Sequence, residues 1–338
     1  MLIMKKTIIA VIAALLLVAG GFCLVWANAC KSFLTETIVS GEYIIENGYS
    51  YKQVRDILFG GYKLPEGFDA YLTKLRQVDK RLHYGYYLAD NISLDTLLEN
   101  VLAGKETLIK VTFPEGYNMY DMAQALDTAG IAKKGQLLTA FRNKDLMQKL
   151  LGKQYISFEG FLAPGTYFFP RADKPERIIA KMVSEFNRTL PANFEEQAAR
   201  EGMTFYEALI LASIVQKETY DAEESPLVAA VYLNRFRIRM LLQADPTIIY
   251  GLVATGRYDG NIRRRDLVDE NNKYNTYKQR GLPPTPICTP SVMSLNAVIA
   301  PARVNYFYFV ADNNGKHIFA ETYAEHDKNV DKYQKKSK

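Results

Sequence analysis

The sequence predicts an α+β protein in three parts: an N-terminal transmembrane helix, a small strand/helix module and a larger α+β domain. An uncharged apolar run fills residues 7–27. Short β-like runs followed by a turn and apolar residues at helical spacing recur between residues 42 and 126. Beyond about residue 135, helical patterns alternate with aromatic, turn-rich stretches and end in a hairpin signal. The expected boundaries are 1–6 cytoplasmic, 7–27 spanning, 35–107 small module and 108–338 larger domain.

At 338 residues the chain exceeds one average domain. With 48% apolar and 23% charged residues it is an ordinary globular composition, which excludes disordered and collagen-like classes. A net charge of +5 suits a membrane surface or an acidic polymer, and without a dense basic stripe no nucleic-acid partner is expected. Cys23, Cys30 and Cys288 make no disulfide framework, and His83, His317 and His326 are scattered, so no metal site and no cofactor are expected. No phosphate-binding GxxxxGK[ST], dinucleotide GxGxxG or nucleophile-elbow GxSxG pattern is present.

The 21 uncharged residues of 7–27 would span roughly 32 Å as a helix, about one hydrocarbon core. Lys5 and Lys6 before the run and Trp26 near its far end predict a single pass, N-terminus inside, with the rest outside the cytoplasmic (inner) membrane. Ala27-Asn28-Ala29 also resembles a signal-peptide cleavage site, but the run exceeds the ~7–15 apolar residues usual there, which favours a retained anchor. Cys30 lacks the Leu three places earlier that a lipoprotein signal needs.

The small module follows from residues 42–58, where a β-like run and a Gly turn lead to Val54, Ile57 and Leu58 at helical spacing. The pattern returns at 109–126, with a turn at Pro114-Glu-Gly-Tyr117, and again at 86–102, with Ser93 as the expected N-cap. Such units resemble LysM-type glycan-binding modules; they are also common building blocks of α+β proteins.

In the larger domain, Pro164-Gly165 predicts a turn before a short strand at 166–169. Helices are expected at about 174–188, 204–220 and 225–240, then a Gly/Pro/Asn/Tyr-rich region over 245–290. A hairpin should pair 306–310 with 317–319 across Asn313-Asn-Gly315, and the polar tail 332–338 should fray.

Thr204-Phe-Tyr-Glu207 is a capping-box signature, with Met203 and Ala208 placed for a hydrophobic staple. Glu218, fourteen residues on, lies on the face of Leu211, Ile214 and Val215. A carboxylate held against apolar side chains holds its proton more tightly, the property of a general acid near neutral pH. Taken alone, a helix-end Glu at the core edge, exposed or paired with a cation, is the commoner reading. The surrounding blocks overturn it.

Those blocks are Glu159-Gly-Phe-Leu-Ala-Pro-Gly-Thr-Tyr167, Ala212-Ser-Ile-Val-Gln-Lys-Glu-Thr219, residues 231–251, Tyr274-Asn-Thr-Tyr277, Gly281-Leu-Pro-Pro-Thr-Pro-Ile287, and Tyr308-Phe-Val310 with His317 downstream. In this order they resemble the endolytic murein transglycosylase family (MltG/YceG-like) over most of residues 105–330. The anchor and LysM-like segment agree with that family's layout. Two departures stand out: Gln216 where the family carries a Glu two places before the catalytic one, and Thr285 where it usually has Gly. Gln216 is about 200° around the helix from Glu218, so the acid should survive the change. Thr285 is expected to stiffen a loop lining the groove.

The resemblance implies a lyase that cuts the β-1,4 bond between N-acetylmuramic acid and N-acetylglucosamine within a strand. Glu218 would protonate the leaving oxygen, then take the proton of the muramoyl 6-hydroxyl as it attacks, leaving a 1,6-anhydro end. Gln243, Asp245, Asn275 and Tyr277 are candidates to bind sugar hydroxyls and acetamides, Tyr250 to pack on a sugar face, and Arg235 to hold an anionic substrate group or orient Glu218. Asn234-Arg235 could instead brace the helix, and Asp245-Pro246-Thr247 start a turn or helix. Glu159 reads as structural, bonding backbone amides. Expected partners are peptidoglycan strands, the cytoplasmic membrane, and penicillin-binding or other wall-synthesis proteins. A lysozyme-like hydrolase and a non-catalytic wall-binding division scaffold are the competing readings.

Overall fold

The computed structural model describes residues 2–334, so the last four residues of the expected frayed tail lie outside the described residues. The chain divides into two compact units, Met1–Ile109 and Lys110–Lys338.

The first unit begins with α1 (Leu2–Glu36), a single helix with two environments. Along its first part Ile8, Leu15, Leu16, Leu17, Val18 and Phe22 are uncovered, an apolar surface of the length a bilayer needs. From Trp26 onward the same helix enters the unit's core. Cys30 and Leu34 are fully buried, Trp26 Nε1 donates to the Glu66 carbonyl at 2.8 Å, and Phe33 packs edge-on against Phe68. Residues 28–34 are therefore a continuation of the helix, with no break between the apolar span and the module.

β1 (Ile38–Ile45) is followed by α2 (Tyr51–Phe59), whose N-cap Ser50 forms a capping box with Gln53. α3 (Phe68–Ala70) runs on as a π-turn at Tyr71–Leu75. β2 (Gly85–Ser93) returns antiparallel to β1, pairing Tyr43 with Tyr87, and leads directly into α4 (Leu94–Leu102). Ser93 caps α4 as expected, accepting from the Thr96 amide. Val54, Leu58, Phe68, Leu72, Leu98 and Val101 close the core against the end of α1.

In the second unit β3 (Ile109–Phe113) and α5 (Met119–Thr128) form the third strand–turn–helix segment. α6 (Lys134–Ala140) and α7 (Lys144–Leu151) precede β4 (Gly165–Phe169), which pairs with β3. Then come α8 (Pro175–Thr189), α9 (Phe194–Arg200), α10 (Phe205–Glu218) and α11 (Ser225–Arg237). The turn-rich region hides two helices, α12 (Asp245–Ala254), started by Pro246, and α13 (Arg264–Leu267). α14 (Val292–Ile299) precedes the hairpin β5 (Tyr308–Ala311)–β6 (His317–Ala320), which starts two residues later than the sequence suggests. α15 (Tyr323–Tyr333) packs back on this hairpin.

The unit is organised around α10. Thr204 and Glu207 exchange both bonds of the capping box, and Met203 and Ala208 are buried beside it. Every residue from Ala208 to Gln216 is buried, because α9, α11, α12 and α14 surround the helix. A helix apolar on all sides is a core helix, and its only way out is its end.

Candidate active site

That end is Glu218. Thr219 leaves the helix in extended conformation, so the carboxylate emerges where the packed body stops. It meets a cavity of about 580 Å³ whose other walls come from α11, α12, β5, β6 and α15. Tyr232, one face of α11, is 2% exposed and donates its hydroxyl to Glu218 Oε1 at 2.6 Å. Burial raises the proton affinity of Glu218; the Tyr232 bond opposes it, Asp245 reinforces it, and His317 and Arg235 pull the other way. The result is a carboxyl that keeps its proton above the usual range, with a cavity in front of it. The phenol of Tyr232, pushed far up by burial, stays a donor.

Arg235 lies in the same wall, and two of its N–H groups are committed: Nε donates to the Phe307 carbonyl at 2.6 Å and one terminal nitrogen to that of Leu242 at 2.7 Å. The guanidinium also sits 5.2 Å over the Tyr308 ring. It braces two segments while contributing its charge to the cavity. Gln243 is exposed on the cavity wall, held in left-handed backbone conformation (φ 53°). Asp245, at the start of α12, accepts the Tyr277 hydroxyl at 2.7 Å, and both residues line the cavity. A second carboxylate therefore shares the groove, at a residue that the sequence offers both as a sugar-binding candidate and as the start of a turn or helix.

Two of the expected sugar-binding side chains are placed elsewhere. Tyr250 is 3% exposed, with its hydroxyl on Glu159 at 2.8 Å and its ring edge-on to Tyr274. Asn275 is fully buried; its amide donates to the carbonyls of Asp266, Leu267 and Asp269 and its oxygen accepts the Tyr277 amide. It shapes the loop that carries Tyr277, and a side chain with all these bonds made offers nothing to a sugar. Thr285 is likewise interior, bonded to Pro286 and Tyr274, so it stiffens the core beneath the loop and does not line the groove.

Glu159 is 1% exposed, accepts the Met119 amide at the start of α5 and the Tyr250 hydroxyl, and is pushed up to about 8 by burial. Gln216 is fully buried on the side of α10 away from the cavity, where its carbonyl oxygen accepts from the Ser291 amide and the Ser294 hydroxyl. It joins α10 to the start of α14.

Sequence patterns alone missed Tyr232, Glu224 and the placement of His317. Glu224, 5% exposed, takes the backbone N–H of His317 on Oε1 and faces its ring Nδ1 with Oε2, each at 2.8 Å. The signal available was the position of His317 beside a matched block; its partner lies 93 residues away. Among the described residues no cluster of His, Cys, Asp and Glu suits a metal ion.

The chain matches the YceG-like family over residues 43–332. It is 27% identical to an endolytic murein transglycosylase of Bacillus subtilis over 264 residues, 73% of this chain and 72% of the relative. An endolytic murein transglycosylase of Streptococcus pneumoniae is 28% identical over 331 residues, and the match covers 89% of this chain but only 58% of that protein. The crystal structure of a yceG-like protein from Listeria monocytogenes superposes with a TM-score of 0.59 at 26% identity, covering 86% of this chain and 98% of that one.

Proposed function

The chain belongs to the YceG-like family, and on that premise we propose that it is a membrane-anchored endolytic lytic transglycosylase of peptidoglycan. The observation that carries the proposal is Glu218, a proton-retaining, half-buried carboxyl at the end of a core helix, facing an open cavity. It protonates the oxygen leaving N-acetylmuramic acid. The muramoyl 6-hydroxyl, tethered to the same ring, attacks the anomeric carbon and closes a 1,6-anhydro end. Tethering replaces the water that a hydrolase must position, since intramolecular nucleophiles reach effective molarities of ~10⁵ M or more. Gln243, Asp245 and Tyr277 bind sugar hydroxyls and acetamides, and Arg235 supplies positive charge at the groove. Cleavage there terminates or trims nascent glycan, in company with penicillin-binding or other wall-synthesis proteins.

The anchor proposal is supported by the continuity of α1. A cut after Ala29 would sever Trp26, which bonds Glu66, from the module it helps to hold. With Lys5 and Lys6 inside, everything after about residue 30 lies on the outer side of the cytoplasmic membrane. The first unit's strand–helix order, with β1 and β2 paired antiparallel, supports a LysM-like glycan-holding role.

Asp245 supports a second reading. A hydrolase uses two carboxylates flanking the bond, and Asp245 shares the groove with Glu218. Digestion of isolated sacculi in ¹⁸O-water decides: the transglycosylase leaves unlabelled ends that borohydride does not reduce. Reducible, ¹⁸O-labelled ends as the main product establish the hydrolase, and no release of muropeptides at all leaves a binding scaffold.

A further inference from the structure

A mechanism with one carboxylate leaves the Glu224–His317 pair without a task, although His317 stands in the wall of the same cavity with Glu224 buried behind it. A carboxylate can only accept, so the 2.8 Å contact with Glu224 Oε2 places the imidazole proton on Nδ1. The neutral ring then carries its lone pair on Nε2. The other oxygen of the same carboxylate holds the His317 backbone N–H, so one side chain fixes both the backbone and the ring. Phe309 meets the imidazole edge-on with centroids 5.1 Å apart and limits its rotation. This is the arrangement of an oriented base: a ring held in one tautomer by a buried acid. Glu218, by contrast, has Oε1 engaged by Tyr232, which leaves one oxygen for the substrate.

We propose that His317 Nε2 is the base that takes the proton from the attacking hydroxyl, and that Glu224 positions it. The assignment rests on the transglycosylase reading above and divides its two proton transfers between two residues. As the C1–O4 bond breaks, the Glu218 proton goes to the leaving N-acetylglucosamine oxygen. As the C1–O6 bond forms, the O6 proton goes to Nε2. The products are the 1,6-anhydro end, a free 4-hydroxyl, a Glu218 carboxylate and a His317 imidazolium, and solvent returns the proton from the second to the first. The other charged or titratable groups of the cavity are Glu218 from α10, Tyr232 and Arg235 from α11, Asp245 and Tyr277 beside α12, and His326 from α15. Outside it, neighbouring Lys316 pairs with Asp221 and Glu223.

The test uses the full-length protein in detergent with purified sacculi as substrate. His317→Ala is expected to lose about 10²- to 10⁴-fold in kcat with KM nearly unchanged, and added imidazole to restore part of the loss. Glu224→Gln replaces an acceptor-only carboxylate with an amide that can also donate to Nδ1, so kcat should fall with KM nearly unchanged and ¹⁵N spectra should show His317 leaving its single tautomer. In case His317→Ala misfolds, ¹⁵N-histidine spectra of the wild-type protein, with its three histidines, read the tautomer directly; Nε2 of His317 should be the unprotonated nitrogen. A folded His317→Ala enzyme within about tenfold of wild type and indifferent to imidazole would overturn the proposal, as would a wild-type ring with its proton on Nε2. Wild type producing 1,6-anhydro ends alongside such a variant sinks only the His317 assignment. Wild type producing reducible ends sinks the transglycosylase reading itself.

Discussion

Glu159 and Glu218 are chemically alike and structurally near-copies. Each is a glutamate held against apolar packing with a buried tyrosine hydroxyl on one oxygen, Tyr250 at 2.8 Å and Tyr232 at 2.6 Å. In each, burial raises the proton affinity. They part at the remaining face of the carboxyl. Glu159 meets the first amide of α5, whereas Glu218 meets a cavity lined by Asp245, Tyr277 and His317. A perturbed carboxyl is therefore no sign of chemistry until something can reach it. One of the two ties a helix start to the core; the other faces open space.

Glu218→Gln should break this symmetry most sharply. The amide keeps the shape and has no proton to transfer, so cleavage of sacculi should fall by about 10³-fold or more, with the melting temperature within a few degrees of wild type. Glu159→Gln should leave turnover within about threefold, since no substrate reaches that site. Equal losses in the two variants, measured by muropeptide release, would mean that access does not separate them.

Tyr232→Phe should have an intermediate effect. The hydroxyl stabilises the Glu218 carboxylate, so its loss should raise the proton affinity further and move the alkaline limb of the rate profile to higher pH. Turnover should fall about tenfold and stability by about 1–2 kcal/mol for a lost buried bond. A limb that stays in place, or moves down, would remove Tyr232 from the control of the acid.

The pH dependence of stability sharpens the structural half. Glu159 in the folded protein keeps its proton to about pH 8, while the unfolded chain releases it near 4.5. Between those values the folded state binds the extra proton, so stability falls as pH rises, by up to about 1.4 kcal/mol per pH unit, and is flat below. Glu159→Gln should flatten that slope in urea titrations at pH 5 and 8. An unchanged slope would assign it elsewhere, Glu218 being the other carboxyl raised by burial.

How much of this was legible depended on range along the chain. Caps at Ser93 and Thr204 involve residues three apart, and both were readable because local sequence determines them. α12 escaped notice because Asp245-Pro246 signals a turn as readily as a helix start, and the Gly and Asn residues around it weaken any periodicity. The block resemblance singled out Glu218 but not the direction of its neighbours. Tyr250 and Asn275 sit in matched blocks and point inward, because the loops of the groove need buried polar braces as well as exposed ligands. Tyr232 is fourteen residues from Glu218 and Glu224 is 93 from His317, separations at which no periodicity carries information.

The unbroken α1 sets the small module in phase with its apolar span. Each residue of a helix advances ~1.5 Å and turns ~100°, so a flexible stalk of the same length would let the module drift, whereas this one behaves as a peg. With the apolar span seated in a bilayer, both the height of the module and the compass direction of its β1–β2 sheet are set by residue count. Inserting one residue before Trp26 would rotate the whole module by that angle about the helix without disturbing its core, while inserting one between Cys30 and Leu34 would turn those two side chains out of alignment with each other.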